Sequence, residues 1–299
     1  MGPLACALLT ARPHVALSPL RAQWTAMPQP RLIERINHLQ VGENSLAFYG
    51  LGQVGVAIRG PGGVIYIDPY LTDSDGGGGH LERLFPPPVP PGEVTNADLV
   101  LVTHEHVDHF DPDTLCPLAQ ASPQARFAGP YTCDPRRAGI DASRWRHARA
   151  GEPFADLGAT VTPVPSAHTE LEGAGRGHAF LGYVIEWNGV TVYHAGDTVV
   201  WDGLTETLSR WRIDVAFLPI NGRDYFRTRQ GIVGNMNIRE AAELAQALDV
   251  GLVVPTHYDL FAGNGADPGQ FVSYLYRLNP DRPQKMLRVG EMLFFRREG

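Results

Sequence analysis

Thr103-His104-Glu105-His106-Val107-Asp108-His109 places three imidazoles and the Asp108 carboxylate within six consecutive positions, directly behind an apolar run. That run, Ala97-Asp98-Leu99-Val100-Leu101-Val102-Thr103, reads as a buried strand, and Asp111-Pro112 reads as the N-cap and first residue of a helix. The histidines therefore occupy a strand-to-helix loop. Side chains of alternating direction there can converge, with His104 and His106 on one ion and Asp108 and His109 turned towards a second. Neutral imidazole and carboxylate suit borderline divalent ions such as zinc, manganese or iron(II). A solvated loop is the ordinary explanation of one histidine, but it explains a cluster of this density poorly.

His104-x-His106-x-Asp108-His109 resembles the signature of the metallo-β-lactamase superfamily. Other segments resemble one branch of it, the L-ascorbate-6-phosphate lactonase-like proteins. They are Ile67-Asp68-Pro69-Tyr70-Leu71-Thr72-Asp73, Arg83-Leu84-Phe85-Pro86-Pro87-Pro88, Leu218-Pro219-Ile220-Asn221-Gly222-Arg223 and Gly234-Asn235-Met236-Asn237. The resemblance covers nearly everything from about Ser45 onward. It implies an α/β fold, the four-layer αββα sandwich in which two stacked mixed sheets are flanked by helices. It also implies two divalent metal ions, zinc or manganese with iron as an alternative.

Within that resemblance the remaining ligands follow in order. His168, after Val164-Pro165-Ser166-Ala167, and Asp197, after His194-Ala195-Gly196, each end an apolar strand, where a lone His or Asp is more often a turn residue or cap. The family pattern makes His168 the third ligand of the first ion beside His104 and His106, and Asp197 the bridging carboxylate. His257, in Val254-Pro255-Thr256-His257, joins Asp108 and His109 on the second ion. Asp68 matches a position beside the metal centre, where a carboxylate orients a ligating histidine. His194 reads as structural. The segment from Asn221 to Arg227 is expected to recognise substrate, with Asn221 donating to a substrate oxygen, Arg223 gripping an anion and Tyr225 beside them.

Composition bounds the rest. A chain of 299 residues with 43% hydrophobic residues can bury a sizeable core, so residues 31–299 are read as one domain behind an unstructured leader of about 30 residues. Met27 is a candidate alternative start, which would make residues 1–26 dispensable. The net charge of -7 argues against a general nucleic-acid or anionic-membrane binder. No apolar run is long enough to span a bilayer. Three cysteines at no metal or redox spacing, Cys6, Cys116 and Cys133, point to buried thiols in a reducing cytoplasm.

Along the chain, strands are expected at residues 45–49, 54–59, 64–67, 125–128, 160–165, 180–187, 190–194, 215–219, 252–255, 286–288 and 292–295. Helices are expected at 112–120, 133–138, 238–248 with Asn237 as cap, and 268–278. Asn188-Gly189 between apolar runs predicts a tight hairpin. Gly76 to Gly79 read as a flexible loop, and the proline run from Pro86 to Pro91 as a stiff segment near the site mouth.

A water shared by two cations ionises near neutral pH, so hydrolysis by a metal-bound hydroxide is the natural reaction class, with Asp108 and Asp197 as its carboxylates. The lactonase-like resemblance implies a lactone or related ester of a small, anionic molecule, phosphorylated or not. Two alternatives differ in class. A phosphodiesterase or nuclease would need a basic tract, for which Arg136, Arg137, Arg144, Arg146 and Arg149 are the only candidates. A binding module without catalysis would be expected to lose ligands, and all seven are present. The sequence leaves room for a homo-oligomer.

Overall fold

The computed structural model describes residues 31–73 and 82–298, so the leader and the four-glycine run lie outside the described residues. The described chain opens with α1 (Leu32–His38), the meander β1 (Ser45–Gly52), β2 (Gly55–Gly60) and β3 (Gly63–Ile67), then β4 (Leu99–Leu101), α2 (Pro112–Ala121), β5 (Arg126–Gly129) and β6 (Trp145–His147). It continues with β7 (Phe154–Asp156), β8 (Ala159–Pro165), β9 (Leu181–Trp187), β10 (Val190–His194), α3 (Leu204–Leu208) and β11 (Val215–Pro219). The last elements are α4 (Tyr225–Arg229), α5 (Ile238–Ala247), β12 (Leu252–Thr256), α6 (Pro268–Leu278) and β13 (Met292–Arg296).

These strands form two mixed sheets, ordered β13-β1-β2-β3-β4-β5-β6 and β12-β11-β10-β9-β8-β7. Leu46, Phe48, Ile65 and Leu101 of the first meet Val161, Ile185, Val192 and Phe217 of the second in one buried layer. The opposite face of the first sheet, with Ala47, Tyr49 and Val100, is covered by Ile36 of α1 and by Leu115 and Leu118 of α2. Tyr193, Ala216 and Val253 of the second sheet are covered by Leu204 and Leu208 of α3, by α5 and by Phe271 and Leu275 of α6. This is the expected αββα order. Strands covered on both faces explain why β1, β3, β11 and β12 read as unbroken apolar runs rather than alternating ones.

Local chemistry sets the joints. Asn188 and Gly189 both take positive φ, 51° and 76°, the backbone that a two-residue type I′ hairpin requires. Asp111 caps α2 by accepting from the Asp113 amide at 3.0 Å. Asn237 and Glu240 form a reciprocal capping box on α5, each accepting from the other's amide at 2.9 Å.

Several expectations change. The helix expected at residues 133–138 is a single 3-10 turn at Pro135–Ala138, stopped by Gly139 in the left-handed conformation. Residues 286–288 form no strand, and the flanking Gln284 and Val289 make isolated bridges, to Val253 and Gly50. The recognition loop contains a short helix, α4, whose N-terminal amides are capped by Asp224. In the sheet-on-sheet layer the Phe48 and Phe217 rings meet with centroids 5.5 Å apart across the sandwich. Phe48→Ala is expected to lower unfolding free energy by about 3–5 kcal/mol in urea denaturation. A loss below about 1 kcal/mol would show that the two sheets close over the gap.

Candidate metal centre

Four strands end at one point. His104 follows β4, His168 follows β8, Asp197 follows β10 and His257 follows β12, while His106, Asp108 and His109 lie in the loop leading to α2. The ligand-capable atoms of His104, His106 and His168 lie within 4.8 Å of one another, as do those of Asp108, His109 and His257, and those of His104, His109 and Asp197. Thus all seven residues are brought together, in three overlapping groups. Asp197 spans them: its Oδ1 lies 3.5 Å from His109 Nε2, and its Oδ2 lies 3.7 Å from His168 Nε2 and 3.3 Å from His257 Nε2.

Asp68 fixes how the imidazoles present themselves. Its carboxylate accepts from the Thr103 amide at 2.8 Å, from Thr103 Oγ1 at 2.6 Å and from His109 Nδ1 at 2.7 Å. A carboxylate only accepts, so His109 carries a proton on Nδ1 and turns Nε2 into the cluster, where a cation would take the place of a second proton. Thr103 has already given its hydroxyl proton to Asp68. Its oxygen, 3.0 Å from His104 Nδ1, therefore receives that ring's proton and leaves His104 Nε2 bare.

Burial disfavours every charge here, and the neighbours decide the outcome. Burial, with His109 and His106 adding to it, holds His104 well below the usual imidazole range, and burial brings His168 down to about 4. For His109 and His257 burial works in the same direction but is overcome by Asp197 and Asp108, so both are raised. Burial opposes the charges of Asp108 and Asp197, yet His109 and His257 lower both, Asp197 strongly.

Two further residues belong to the site and were missed in the sequence. Phe180 packs on the rings of His104, His106 and His168 with centroids 5.2, 6.0 and 5.3 Å away, an apolar wall on that set. Gln53, in the β1–β2 turn, donates from Nε2 to Asp108 Oδ2 at 2.7 Å and lies 2.9 Å from His257 Nε2. Neither is near the histidine cluster in sequence, and a lone Gln carries no motif.

The recognition segment is arranged differently from the expectation. Arg223 was expected as an anion anchor, but its guanidinium is paired with both oxygens of Glu240 at 2.7 Å and with the Asn235 carbonyl at 2.9 Å. The carboxylate that closes the α5 capping box thus also takes up this arginine. Asn221 was expected to donate to substrate, but its Nδ2 donates to Asn264 at 3.0 Å and its Oδ1 accepts from Asn235 at 3.1 Å. Tyr225 is 72% exposed and meets Phe226 edge-on rather than any residue of the cluster. His194 is structural as expected, with Nε2 2.8 Å from the Val54 carbonyl and Nδ1 accepting from the Gly196 amide at 3.2 Å.

The cluster fits a bound cation. His109 Nε2 and Asp197 Oδ1 are buried without a hydrogen-bond partner among the described residues, as is His168 Nδ1. Buried polar atoms left without partners are costly, and a cation would satisfy the His109 nitrogen and the carboxylate oxygen together. Five imidazoles and two carboxylates are also the donor chemistry of borderline divalent ions.

The profile described as a β-lactamase superfamily domain matches residues 64–258. A protein called a UPF0173 metal-dependent hydrolase from Methanoregula boonei is 31% identical over 223 residues, covering 72% of this chain and 91% of its own length. A namesake from Thermococcus onnurineus is 31% identical over 233 residues, covering 77% and 91%. Among solved structures, Igni18, described as a novel metallo hydrolase from Ignicoccus hospitalis, superposes with a TM-score of 0.66 at 22% identity, covering 85% of this chain and 100% of that one. The chain belongs to the metallo-β-lactamase superfamily and, within it, to the family of UPF0173 metal-dependent hydrolases.

Proposed function

We propose that this chain is a metal-dependent hydrolase holding two divalent cations, one on His104, His106 and His168 and one on Asp108, His109 and His257, with Asp197 between them. The observation that carries the reading is the placement of Asp197, whose two oxygens face histidines of both sets. When bound, two divalent ions against two carboxylates leave the centre net positive, polarising a substrate oxygen and acidifying a shared water. Asp108 is ionised at neutral pH, and Gln53 engages its Oδ2. With Oδ2 turned towards His109 and His257, this ionised carboxylate is the group placed to take up and hand on a proton. Phe180 keeps one side of the set formed by His104, His106 and His168 apolar, which strengthens electrostatic interactions there.

For substrate we propose a lactone or related ester of a small anionic molecule, the class suggested by the resemblance to L-ascorbate-6-phosphate lactonase-like proteins. Supporting this over a phosphodiester backbone, the arginines that such a backbone would need are engaged elsewhere. Arg136 pairs with Asp134, Arg149 with Glu152, and Arg144 donates to the carbonyls of Ala119, Ser122 and Ala125. Arg137 and Arg146 lie over the rings of Phe110 and Phe154. A cytoplasmic location belongs to this reading. The unpaired thiols of Cys116 and Cys133 accord with it, and no described helix is long and apolar enough to cross a membrane.

Asp197→Ala is expected to lower bound metal and to abolish hydrolysis. Full occupancy with normal turnover in that variant sinks the dinuclear assignment. Asp68→Ala should weaken metal binding by about 10–100-fold, because His109 loses the partner that orients it. The substrate class is tested by assaying the metal-loaded chain on lactones, phosphate monoesters and phosphodiesters, and turnover of phosphodiesters alone would overturn it.

The histidine shifts also predict a pH optimum for stability of the chelator-treated chain. His104 and His168 have lowered values, so below about 6.5 the unfolded state binds more protons at these positions and stability falls with acidification. His109 and His257 have raised values, so above about 6.5 the folded state holds more protons there and stability falls as pH rises. Urea midpoints measured across pH should peak near that value. A midpoint rising steadily through pH 8 would contradict the assigned environments.

A further inference from the structure

Gln53 touches two of the three residues that the second cation position needs. Its Nε2 is 2.7 Å from Asp108 Oδ2 and 2.9 Å from His257 Nε2, and both of those residues belong to the set completed by His109. The amide orientation follows from chemistry: Asp108 can only accept, so the NH2 end faces it, and the same nitrogen lies against the His257 ring, 2.9 Å from Nε2 and 3.4 Å from Nδ1. The backbone reinforces the contact, because the Gln53 carbonyl accepts from the His257 amide at 3.0 Å. Gln53 is also buried and held at a φ of 56°, the left-handed conformation that non-glycine residues seldom adopt. The set formed by His104, His106 and His168 meets no comparable amide donor among the described residues.

We propose that Gln53 is a positioning residue that gates the second cation position. Its amide braces Asp108 and His257 in the ion-free chain and has to swing away before Asp108, His109 and His257 can take an ion. The position at His104, His106 and His168 therefore fills first. An ion entering the second position has to displace the hydrogen bond to the Asp108 carboxylate and move the amide off the His257 ring, which weakens binding there relative to a site without the brace. The inference rests on the two-ion reading and adds an order of filling to it.

The test is a Zn2+ titration of the full chain, stripped with a chelator and followed by competition with a chromophoric chelator and by calorimetry. The wild type is expected to bind two ions with dissociation constants at least about tenfold apart. Gln53→Leu, which keeps the bulk and removes the donor, should tighten the weaker position by about tenfold and leave the tighter one within about twofold. Gln53→Glu replaces the donor by a carboxylate and should tighten the weaker position further. If the leucine variant fails to fold, the wild-type and glutamate titrations carry the test. A wild type that takes one ion while Gln53→Leu takes two also supports the gate. Two ions of equal affinity in the wild type, or a weaker position unmoved or loosened in both variants, overturn the gate and leave the dinuclear reading standing. Binding of no ion by any of the three overturns both.

Discussion

A fully buried carboxylate without a cationic lysine or arginine partner is costly to place, and Asp68 is such a group, with 0% of its surface exposed. It is kept by the Thr103 amide and hydroxyl and by His109, while its own amide donates to the Leu101 carbonyl at 2.9 Å. These bonds tie the end of β3 to the end of β4, and they also decide which imidazole nitrogens turn towards the cluster. Fold and site thus share one hydrogen-bonded knot. Removing the carboxylate would leave buried donors unpaired and would free His104 and His109 to change tautomer together.

The sandwich holds the two halves of the centre in register by direct links between the sheets at the same level. Leu181 of β9 donates its amide to the Thr103 carbonyl at 3.0 Å, and the Tyr183 hydroxyl donates to the Val102 carbonyl at 2.7 Å. Gly196, just before Asp197, lies against Thr103 so closely that a Cβ there would come within 2.8 Å of its side chain, and its φ of 59° suits glycine. A larger residue would push the Asp197 loop away from His104 and His109. The approach of the Asp197 carboxylate to His104 and His109 therefore depends on a glycine, two buried hydrogen bonds and the aromatic layer beneath them.

Much of this was legible because it is local in sequence. The cluster from His104 to His109, the caps at Asp111 and Asn237 and the Asn188-Gly189 turn each sit within a few residues of the partners that define them. What escaped is non-local. Gln53 acquires its place from residues 55 and 204 positions away. Arg223 looked like an available cation because its partner, Glu240, belongs to a helix 17 residues on. The strands Trp145–His147 and Phe154–Asp156 are three residues each, too short for alternation to show, and the 3-10 turn at Pro135–Ala138 has the composition of a helix start without the length of a helix.

Backbone strain gathers around the same point. Asp68, Gln53 and His257 take φ values of 43°, 56° and 57°, in the left-handed region where an L side chain costs on the order of 1–3 kcal/mol. Such residues persist only where their surroundings over-determine them. Asp68 is held by three donors, and Gln53 and His257 hold each other through one backbone and one side-chain contact. A glycine at any of the three would relax the backbone but would delete a side chain the centre uses. The strain is therefore the cost of bringing a brace, an orienting carboxylate and a ligand candidate to one place from three different turns. It also explains why the centre depends on the packed sandwich around it, since none of these turns would hold its conformation in an isolated loop.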